Sequence, residues 1–196
     1  MIGNKVIELI IEFIKAIQSE EKALISYENG IRYKICSPKY LLGQIIRQYE
    51  LTAQQYYISE NAEFLWKNVS TENIWNYCYR QYVKCENDIP VLIREFTGNA
   101  NTPRKIREVK RGDGFIFRDV FHDEHMIPIS KIIEKLVSLS EPDCDNVKNI
   151  LDSIYICRLL KNEDRLLPVK YKRPFDLQKV ISMYNSVGIK INKRSE

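Results

Sequence analysis

The sequence predicts an α+β protein in which a helical region, residues 1–100, precedes a module that contains strands, residues 101–196. In the first half, apolar residues recur at spacings of three and four, which is typical of amphipathic helices. In the second half, the segments 115–121 and 154–160 have the alternating or continuous apolar patterns of strands. Between the halves, residues 97–103 are rich in turn-forming residues and indicate a loop.

The composition is that of an ordinary globular protein. The chain has 196 residues, of which 44% are hydrophobic and 29% charged, so general disorder is not expected. A chain of this length buries about 70% of its unfolded surface and needs neither a disulfide nor zinc to fold. The five cysteines are widely spaced and form no CxxC pair, which favours reduced thiols. No segment approaches the ~20 apolar residues of a membrane span, and the first residues lack the pattern of a signal peptide. We therefore expect a cytoplasmic protein with no membrane partner.

The positive charge is concentrated in the second half of the chain. Residues 1–100 carry 11 Lys and Arg against 12 Asp and Glu, whereas residues 101–196 carry 19 against 14. A basic half beside a nearly neutral half favours a polyanionic partner such as DNA. We expect the basic tail, residues 170–194, to follow the phosphate backbone together with one dense basic run, made of Arg104, Lys105, Arg107, Lys110 and Arg111.

The elements of the first half follow from its apolar spacing and its capping residues. A helix is predicted over residues 6–17, where apolar residues line one face. Residues 31–36 then indicate a short strand. Ser37 and Pro38 begin a second helix, because serine is a good N-cap and proline is favoured at the first helical position.

The segment that follows supports one rival interpretation of the whole protein. If Thr52 caps a further short helix, residues 41–57 form a helix-turn-helix, a motif that reads DNA. The protein would then be a DNA-binding regulator without catalysis. The aromatic-rich segment 64–85 is interpreted as core with polar tips at the surface, rather than as a base-stacking surface.

The second half alternates strands and helices. Apolar and charged residues alternate over 115–121, and apolar residues recur at helical spacing over 129–139. A strand is predicted over 154–160, followed directly by a short helix over 161–167 that Pro168 ends.

Both histidines of the chain fall in one tetrad, His122-Asp123-Glu124-His125, at the end of the first of these strands. Histidine accepts a proton near neutral pH, and carboxylates beside it can hold a divalent metal. The spacing excludes the HExxH of metalloproteases, in which the histidines lie four apart on a helix. No glycine-flanked serine, Walker loop or GxGxxG motif is present.

The order of the elements indicates where this chemistry is assembled. Two strands folded against one helix bring the tetrad close to the first turn of the helix 161–167. There a divalent metal fits between a carboxylate from the strand end and an Asn, Asp or His from the helix. The histidine is then free to deprotonate water for attack on a phosphodiester.

The segment Glu124-His125-Met126-Ile127-Pro128 resembles the first motif of the HNH nucleases, usually an acidic residue, His, two apolar residues and Pro. The segment 156–167 resembles the second strand and closing helix of the same family, so the resemblance covers about residues 113–167. It implies a ββα-metal module with His125 as general base and Glu124 as a metal ligand. For the last ligand it leaves Asp164 or Asn162, of which Asp164 fits better because divergent members place this ligand after a glutamate and three residues before a leucine.

The resemblance also implies an asparagine that orients the histidine. Asn146, Asn149 and Asp152 are the open alternatives, and Asn149 is the candidate we carry forward. Arginines clamp phosphate oxygens in two-point contacts, and those near the site are Arg118, Arg158 and Arg165. Oxygen ligands favour Mg²⁺, with Mn²⁺ able to substitute.

The predicted function is therefore a metal-dependent endonuclease that hydrolyses phosphodiester bonds of DNA, of a restriction or phage type. The helical region would supply substrate choice or dimerisation. A homodimer suits an enzyme that cuts both strands, because duplex symmetry matches a two-fold protein. Besides the regulator described above, the remaining rival is a helical protein-interaction module in which the histidine tetrad is incidental.

Overall fold

The structure is a computed structural model that describes residues 2–19, 24–28, 31–49, 55–87, 91–96, 103–169 and 172–194. It confirms an α+β protein. The helices are α1 (Ile2–Gln18), α2 (Pro38–Tyr49), α3 (Glu60–Lys67), α4 (Phe117–Val120), α5 (Ile129–Val137), α6 (Cys144–Leu151), α7 (Lys161–Asp164) and α8 (Leu177–Ser186), with a 3₁₀ turn over Ile74–Asn76. The strands are β1 (Leu24–Glu28), β2 (Ile31–Cys36), β3 (Gln55–Ser59), β4 (Tyr82–Lys84), β5 (Val91–Phe96), β6 (Pro103–Val109), β7 (Gly114–Ile116), β8 (Phe121–His125), β9 (Tyr155–Leu160) and β10 (Ile191–Lys193).

The chain forms two compact units, each built from separate segments. The first unit contains residues 1–55, 125–155 and 169–180, and the second contains residues 56–124, 156–168 and 181–196. Both halves of the sequence contribute to both units, so the units do not follow the predicted boundary near residue 100. The first hundred residues also include β1 to β5 and are not purely helical.

Helices α1, α2, α5 and α6 pack together in the first unit. The apolar face predicted for α1 is its buried face, since Ile7, Ile10 and Ile14 are almost fully enclosed. Full burial of such a side chain stabilises the fold by about 1.5–3 kcal/mol. In the described part of the chain, no helix combines the length and the apolar composition that crossing a membrane requires.

The start of α2 confirms one prediction, whereas the chain that follows α2 contradicts another. Ser37 Oγ accepts a hydrogen bond from the Tyr40 amide at 3.2 Å, as expected of an N-cap. The helix-turn-helix predicted over residues 41–57 is wrong, because residues 55–57 lie in β3. Residues 50–54 lie outside the described residues. A stretch containing Tyr56, Tyr57 and Ile58 has a high strand propensity, and here it pairs with β10.

The second unit is organised around a four-stranded sheet in the order β10-β3-β9-β8. Strands β10 and β3 are antiparallel, with Ile191 opposite Ser59. Single end residues of β3, β8 and β9 are assigned to the first unit, and the rest of the sheet belongs to the second. The order places β8 and β9, which carry the candidate site, next to each other at one edge.

An aromatic core lies inside the second unit. The Trp66 ring lies edge-on to those of Phe117 and Phe121, with centroids 6.0 and 5.8 Å away. The predicted strand over 115–121 is interrupted, because residues 117–120 form the one-turn helix α4 between β7 and β8. This turn buries both Phe117 and Val120, which strict alternation along one strand would have placed on opposite faces.

Candidate metal centre

The candidate site is formed by the end of β8 and the single turn of α7. Side chains two residues apart on a strand share a face, so His122 and Glu124 project from the same side of β8. Helix α7 begins directly after β9, the neighbour of β8 in the sheet, and this brings Asp164 to that same side. The local sequence thus brings three polar side chains together at one point.

These three side chains, hereafter the metal-centre triad, are close enough to share one ion. His122 Nε2 lies 3.0 Å from Glu124 Oε2 and 4.0 Å from Asp164 Oδ2. One ligand atom from each residue lies within 4.8 Å of the other two. Glu124 is buried, whereas the side chains of His122 and Asp164 are 32% and 33% exposed. The triad therefore has a closed inner side and an open outer side.

The donor set fits a divalent cation. A buried carboxylate is costly unless a positive charge or hydrogen-bond donors compensate for its lost hydration. Two carboxylates and an imidazole together supply ligand atoms that Mn²⁺ and Zn²⁺ accept, and the carboxylates alone supply the oxygens that Mg²⁺ prefers. Glu124 and Asp164 would hold the ion, with His122 completing the set.

Glu163, the residue before Asp164, fixes α7 in place. It is buried, and its Oε2 accepts hydrogen bonds from Ser59 Oγ at 2.6 Å and from the Leu160 amide at 2.9 Å. Its Oε1 accepts from Asn61 Nδ2 at 2.9 Å. These bonds tie the helix to the junction of β3 and α3, and they leave the next residue, Asp164, at the site. Sequence reasoning missed this role, although a glutamate at the third helical position is a common capping residue.

Arg158 is inside the protein rather than on the nucleic-acid surface that we predicted. It is 5% exposed, and its Nε and Nη2 donate to Asp123 Oδ1 and Oδ2 at 2.7 and 2.8 Å. Its Nη1 donates to the Ile74 carbonyl at 2.6 Å. The guanidinium also lies 4.4 Å from the Trp75 ring centroid and 4.7 Å from that of Phe117. The guanidinium of Arg158 therefore donates to protein groups, and the predicted contact between Arg158 and a phosphate is not supported.

His125 is not part of the metal-centre triad. Alternation along β8 gives it a different face from His122 and Glu124. It belongs to the first unit, where its carbonyl accepts a hydrogen bond from Arg173 Nη1 at 3.3 Å. The structure thus brings together the two predicted ligands, Glu124 and Asp164, with a different histidine from the one predicted. The role of His125 as a general base stays a prediction.

The predicted asparagines lie outside the triad. Asn149 is an exposed residue of α6 in the first unit. Asn146 Nδ2 donates to Asp143 Oδ2 at 2.6 Å, and Asp152 follows the last turn of α6 as its C-cap. Asn162 is exposed on α7, two residues before Asp164. The role of orienting His125, for which Asn149 is the candidate carried forward, stays a prediction.

The other basic residues near the site and in the predicted basic run lie in different environments. Arg118 and Arg165 are exposed, and Arg118 Nε lies 3.8 Å from Asp119 Oδ1. Burial lowers the pKa of Lys161, which also interacts electrostatically with Asp119 and Arg118. Lys110 and Arg111 are exposed beside a turn. The side chains of the other predicted contacts lie outside the described residues, although their backbone forms part of β6: Arg104, Lys105 and Arg107.

Cysteine chemistry at this site is disfavoured by the electrostatics. Burial raises the pKa of the Cys157 thiol well above its ordinary value, and the negative charges of Glu163, Asp123 and Glu124 raise it further. A nucleophilic cysteine needs the thiolate, which a raised pKa suppresses at neutral pH. Cys157 therefore acts as a small apolar core residue.

Comparison of the chain with protein-family models, with curated proteins and with solved structures finds no match.

Proposed function

We propose that this protein is a divalent-metal-dependent endonuclease related in its chemistry to the HNH nucleases, which hydrolyses phosphodiester bonds of DNA. One observation carries the proposal: Glu124 and Asp164, which the motif resemblance implied as ligands, have ligand atoms within 4.8 Å of each other and of His122. They come from a strand end and from the helix that follows the neighbouring strand, as a ββα-metal module requires.

The burial of the triad suits such a reaction. The enclosed Glu124 would be a fixed ligand, and the partly exposed His122 and Asp164 would face the substrate. A bound ion would polarise the scissile phosphate and stabilise the leaving oxygen. Glu163 would keep Asp164 in position through its three hydrogen bonds. A carboxylate pair that is already held in position loses less conformational entropy when it binds a cation than two mobile side chains would.

The two histidines have separable roles in this proposal. His122 belongs to the ligand set, because its Nε2 faces both carboxylates. An imidazole ligand favours Mn²⁺ over Mg²⁺, so we expect higher activity with Mn²⁺. The motif resemblance implies His125, one residue beyond Glu124, as the general base that takes a proton from the attacking water. Alternation along β8 gives His125 a different face from the triad, so this role rests on the resemblance and on the variant tested below.

Positive charge near the triad supports a phosphate-bearing substrate. Lys161 interacts electrostatically with Asp164 and with Arg165, which puts these three charges in one neighbourhood. Two cations beside a metal ligand suit a polyanion better than a neutral substrate. The second half of the chain has the same excess of positive charge.

Cleavage of plasmid DNA tests the proposal. The wild type should nick or linearise the plasmid with Mn²⁺ or Mg²⁺ and lose this activity in EDTA. Glu124→Gln and Asp164→Asn should each reduce the rate at least a hundredfold, whereas the matched Asp152→Asn should cut normally. Undiminished cutting by both ligand variants would refute the metal site.

A second pair of measurements assigns the histidines and excludes the rivals. His125→Ala should abolish cutting and leave Mn²⁺ affinity unchanged, whereas His122→Ala should weaken Mn²⁺ binding. If His125→Ala cuts at the wild-type rate, it is not the base. A nuclease should also lose DNA affinity steeply as salt concentration rises, whereas a protein-interaction module should show no such dependence.

A further inference from the structure

A cavity of about 570 Å³ in the second unit is not used by the proposed metal chemistry. It is lined by residues of α3, of the 3₁₀ turn and of the segment from β10 to Arg194. Ligand sites in proteins typically measure about 300–1,000 Å³, so its size suits a small organic molecule or one monomer of a polymer. No residue of the metal-centre triad lines it.

The Trp75 indole forms an aromatic wall of this cavity. The Tyr56 ring lies 5.0 Å from it, and the Arg194 guanidinium lies 5.3 Å from its centroid. The buried Arg158 guanidinium lies 4.4 Å from the same centroid and is tied to the Ile74 carbonyl in the 3₁₀ turn. Guanidinium groups thus lie over the Trp75 ring at 4.4 and 5.3 Å, and a nucleobase reaches the indole where the exposed Arg194 gives way and packs on the base instead.

The lining of the cavity carries three cations and two acids, an excess of one positive charge. Glu63 Oε1 accepts from Lys67 Nζ at 2.8 Å, and its Oε2 accepts from Asn192 Nδ2 at 3.3 Å. The hydrogen bond from Lys67 lowers the pKa of Glu63, so this acid stays charged and balances that lysine. Lys193 and Arg194 add two more cations to the lining. The other lining acid, Glu72, interacts with the Tyr77 hydroxyl.

We propose that this cavity binds one unpaired nucleotide of a nucleic-acid strand. The base stacks against Trp75 and Arg194, and the phosphate lies near Lys193 and Arg194. A phosphate alone would have no use for the indole wall, and a neutral aromatic molecule would have no use for the cations. The inference is independent of the metal chemistry, but it deepens the proposed function by giving the nuclease a contact with an extruded or single-stranded base.

The cavity has a direct structural connection to the metal-centre triad. Arg158 contacts the cavity wall through Trp75 and Ile74 and binds Asp123, which lies between the two β8 members of the triad. The Trp75 ring that stacks on the nucleotide would therefore contact the same buried guanidinium that binds β8 through Asp123. Through this connection the cavity would hold the substrate while a neighbouring bond is cut.

Tryptophan fluorescence tests the proposal without any catalysis. A short single-stranded oligonucleotide is titrated in EDTA into the wild type and into Trp75→Phe, with binding followed by the anisotropy of a label on the strand. Stacking of a base on Trp75 should quench part of the emission of the two tryptophans. Trp75→Phe keeps a stacking ring, so it should still bind while losing the part of the quenching that comes from Trp75; Trp66, which also lines the cavity, is present in both proteins. Quenching of equal size in Trp75→Phe would overturn the proposal.

A charge-matched pair of variants locates the binding surface. Arg194→Ala should bind the strand about tenfold more weakly, within the range expected for losing one base-stacking and phosphate contact. Lys179→Ala removes one exposed charge on α8 in the first unit and should change the affinity little. Equal affinities for the two variants would refute a role for the cavity.

Two further comparisons distinguish this proposal from a free-nucleotide site and from the proposed nuclease activity. A free mononucleotide should quench much more weakly than the strand, and equal affinity would make the cavity a free-nucleotide site instead. If quenching occurs without cutting in the wild type, the nuclease assignment fails alone, and if cutting occurs without quenching, the cavity assignment fails alone.

Discussion

Arg158 on β9 donates two hydrogen bonds to Asp123 on β8, from Nε to Oδ1 at 2.7 Å and from Nη2 to Oδ2 at 2.8 Å. The Arg158 side chain is almost fully buried, whereas that of Asp123 is 42% exposed. The pair therefore joins the interior of the second unit to the strand that carries the metal-centre triad. Because the guanidinium also stacks on two aromatic rings, the arrangement depends on its planar shape as well as its charge.

Replacement of Arg158 by lysine should lower the free energy of unfolding by about 2–3 kcal/mol, measured by urea denaturation. Lysine keeps the charge but cannot make both bonds to Asp123, donate to Ile74 and stack at once. The loss should be below that of a fully buried pair, because Asp123 is reached by water. Arg165→Lys, at an exposed position, should change stability by less than about 0.5 kcal/mol. Equal effects of the two variants would contradict a structural role for Arg158.

Glu163→Gln should both destabilise the protein and weaken metal binding. The amide oxygen can accept the bonds from Ser59 and Leu160, but the amide nitrogen cannot accept from Asn61 Nδ2. The variant therefore loses one partly buried bond, and its two remaining bonds no longer have a charged acceptor. This should cost about 1–3 kcal/mol of unfolding free energy. Since Asp164 is the next residue, Mn²⁺ affinity measured by calorimetry should also fall. Glu134→Gln, at an exposed position of α5, is the control, and an unchanged Mn²⁺ affinity in Glu163→Gln would show that α7 does not depend on this glutamate.

The elements that were predicted correctly are those with strong local signals. Helix α1 follows from a continuous apolar face, and α2 from the Ser37 cap, both of which act within a few residues. The break at α4 was missed, because it depends on burying Phe117 and Val120 in a core formed by distant segments. Likewise, the interleaved composition of the two units depends on long-range contacts that periodicity does not encode.

The candidate site could likewise be predicted only in part from the sequence. The motif resemblance implies Glu124 and Asp164, which the structure brings together, but it gives the histidine role to His125 rather than to His122. The period of two along a strand, applied to the tetrad, would have paired His122 with Glu124. Arg158 was assigned to the surface, although its position within the buried run of β9 was a signal for an internal ion pair.

Mn²⁺ should stabilise the wild type more than it stabilises variants of the metal-centre triad. A ligand that binds only the folded state at a hundred times its Kd adds about 2.7 kcal/mol, visible as a rise in Tm. Glu124→Gln and Asp164→Asn should lose this rise, and His122→Ala should retain only part of it. Asn162→Ala tests the alternative ligand, and we expect its Tm to respond to Mn²⁺ as the wild type does. A full response in Asp164→Asn together with none in Asn162→Ala would transfer the ligand role to Asn162.

The thiols should differ in reactivity according to burial and pKa. Burial raises the pKa of both Cys157 and Cys85, so at pH 8 each holds less of the reactive thiolate than an ordinary cysteine. Cys78 and Cys144 are exposed and should be alkylated rapidly, which mass spectrometry of digested protein can follow. Raising the pH from 7 to 9 should leave Cys157 protected, because the thiolate fraction grows only as the pH approaches the pKa, which burial raises for this thiol. In urea all four should react at similar rates, since unfolding removes the burial. Rapid labelling of Cys157 in the native protein would mean that β9 is accessible to solvent, and the rigid support that the metal-centre triad needs from β9 would then be absent.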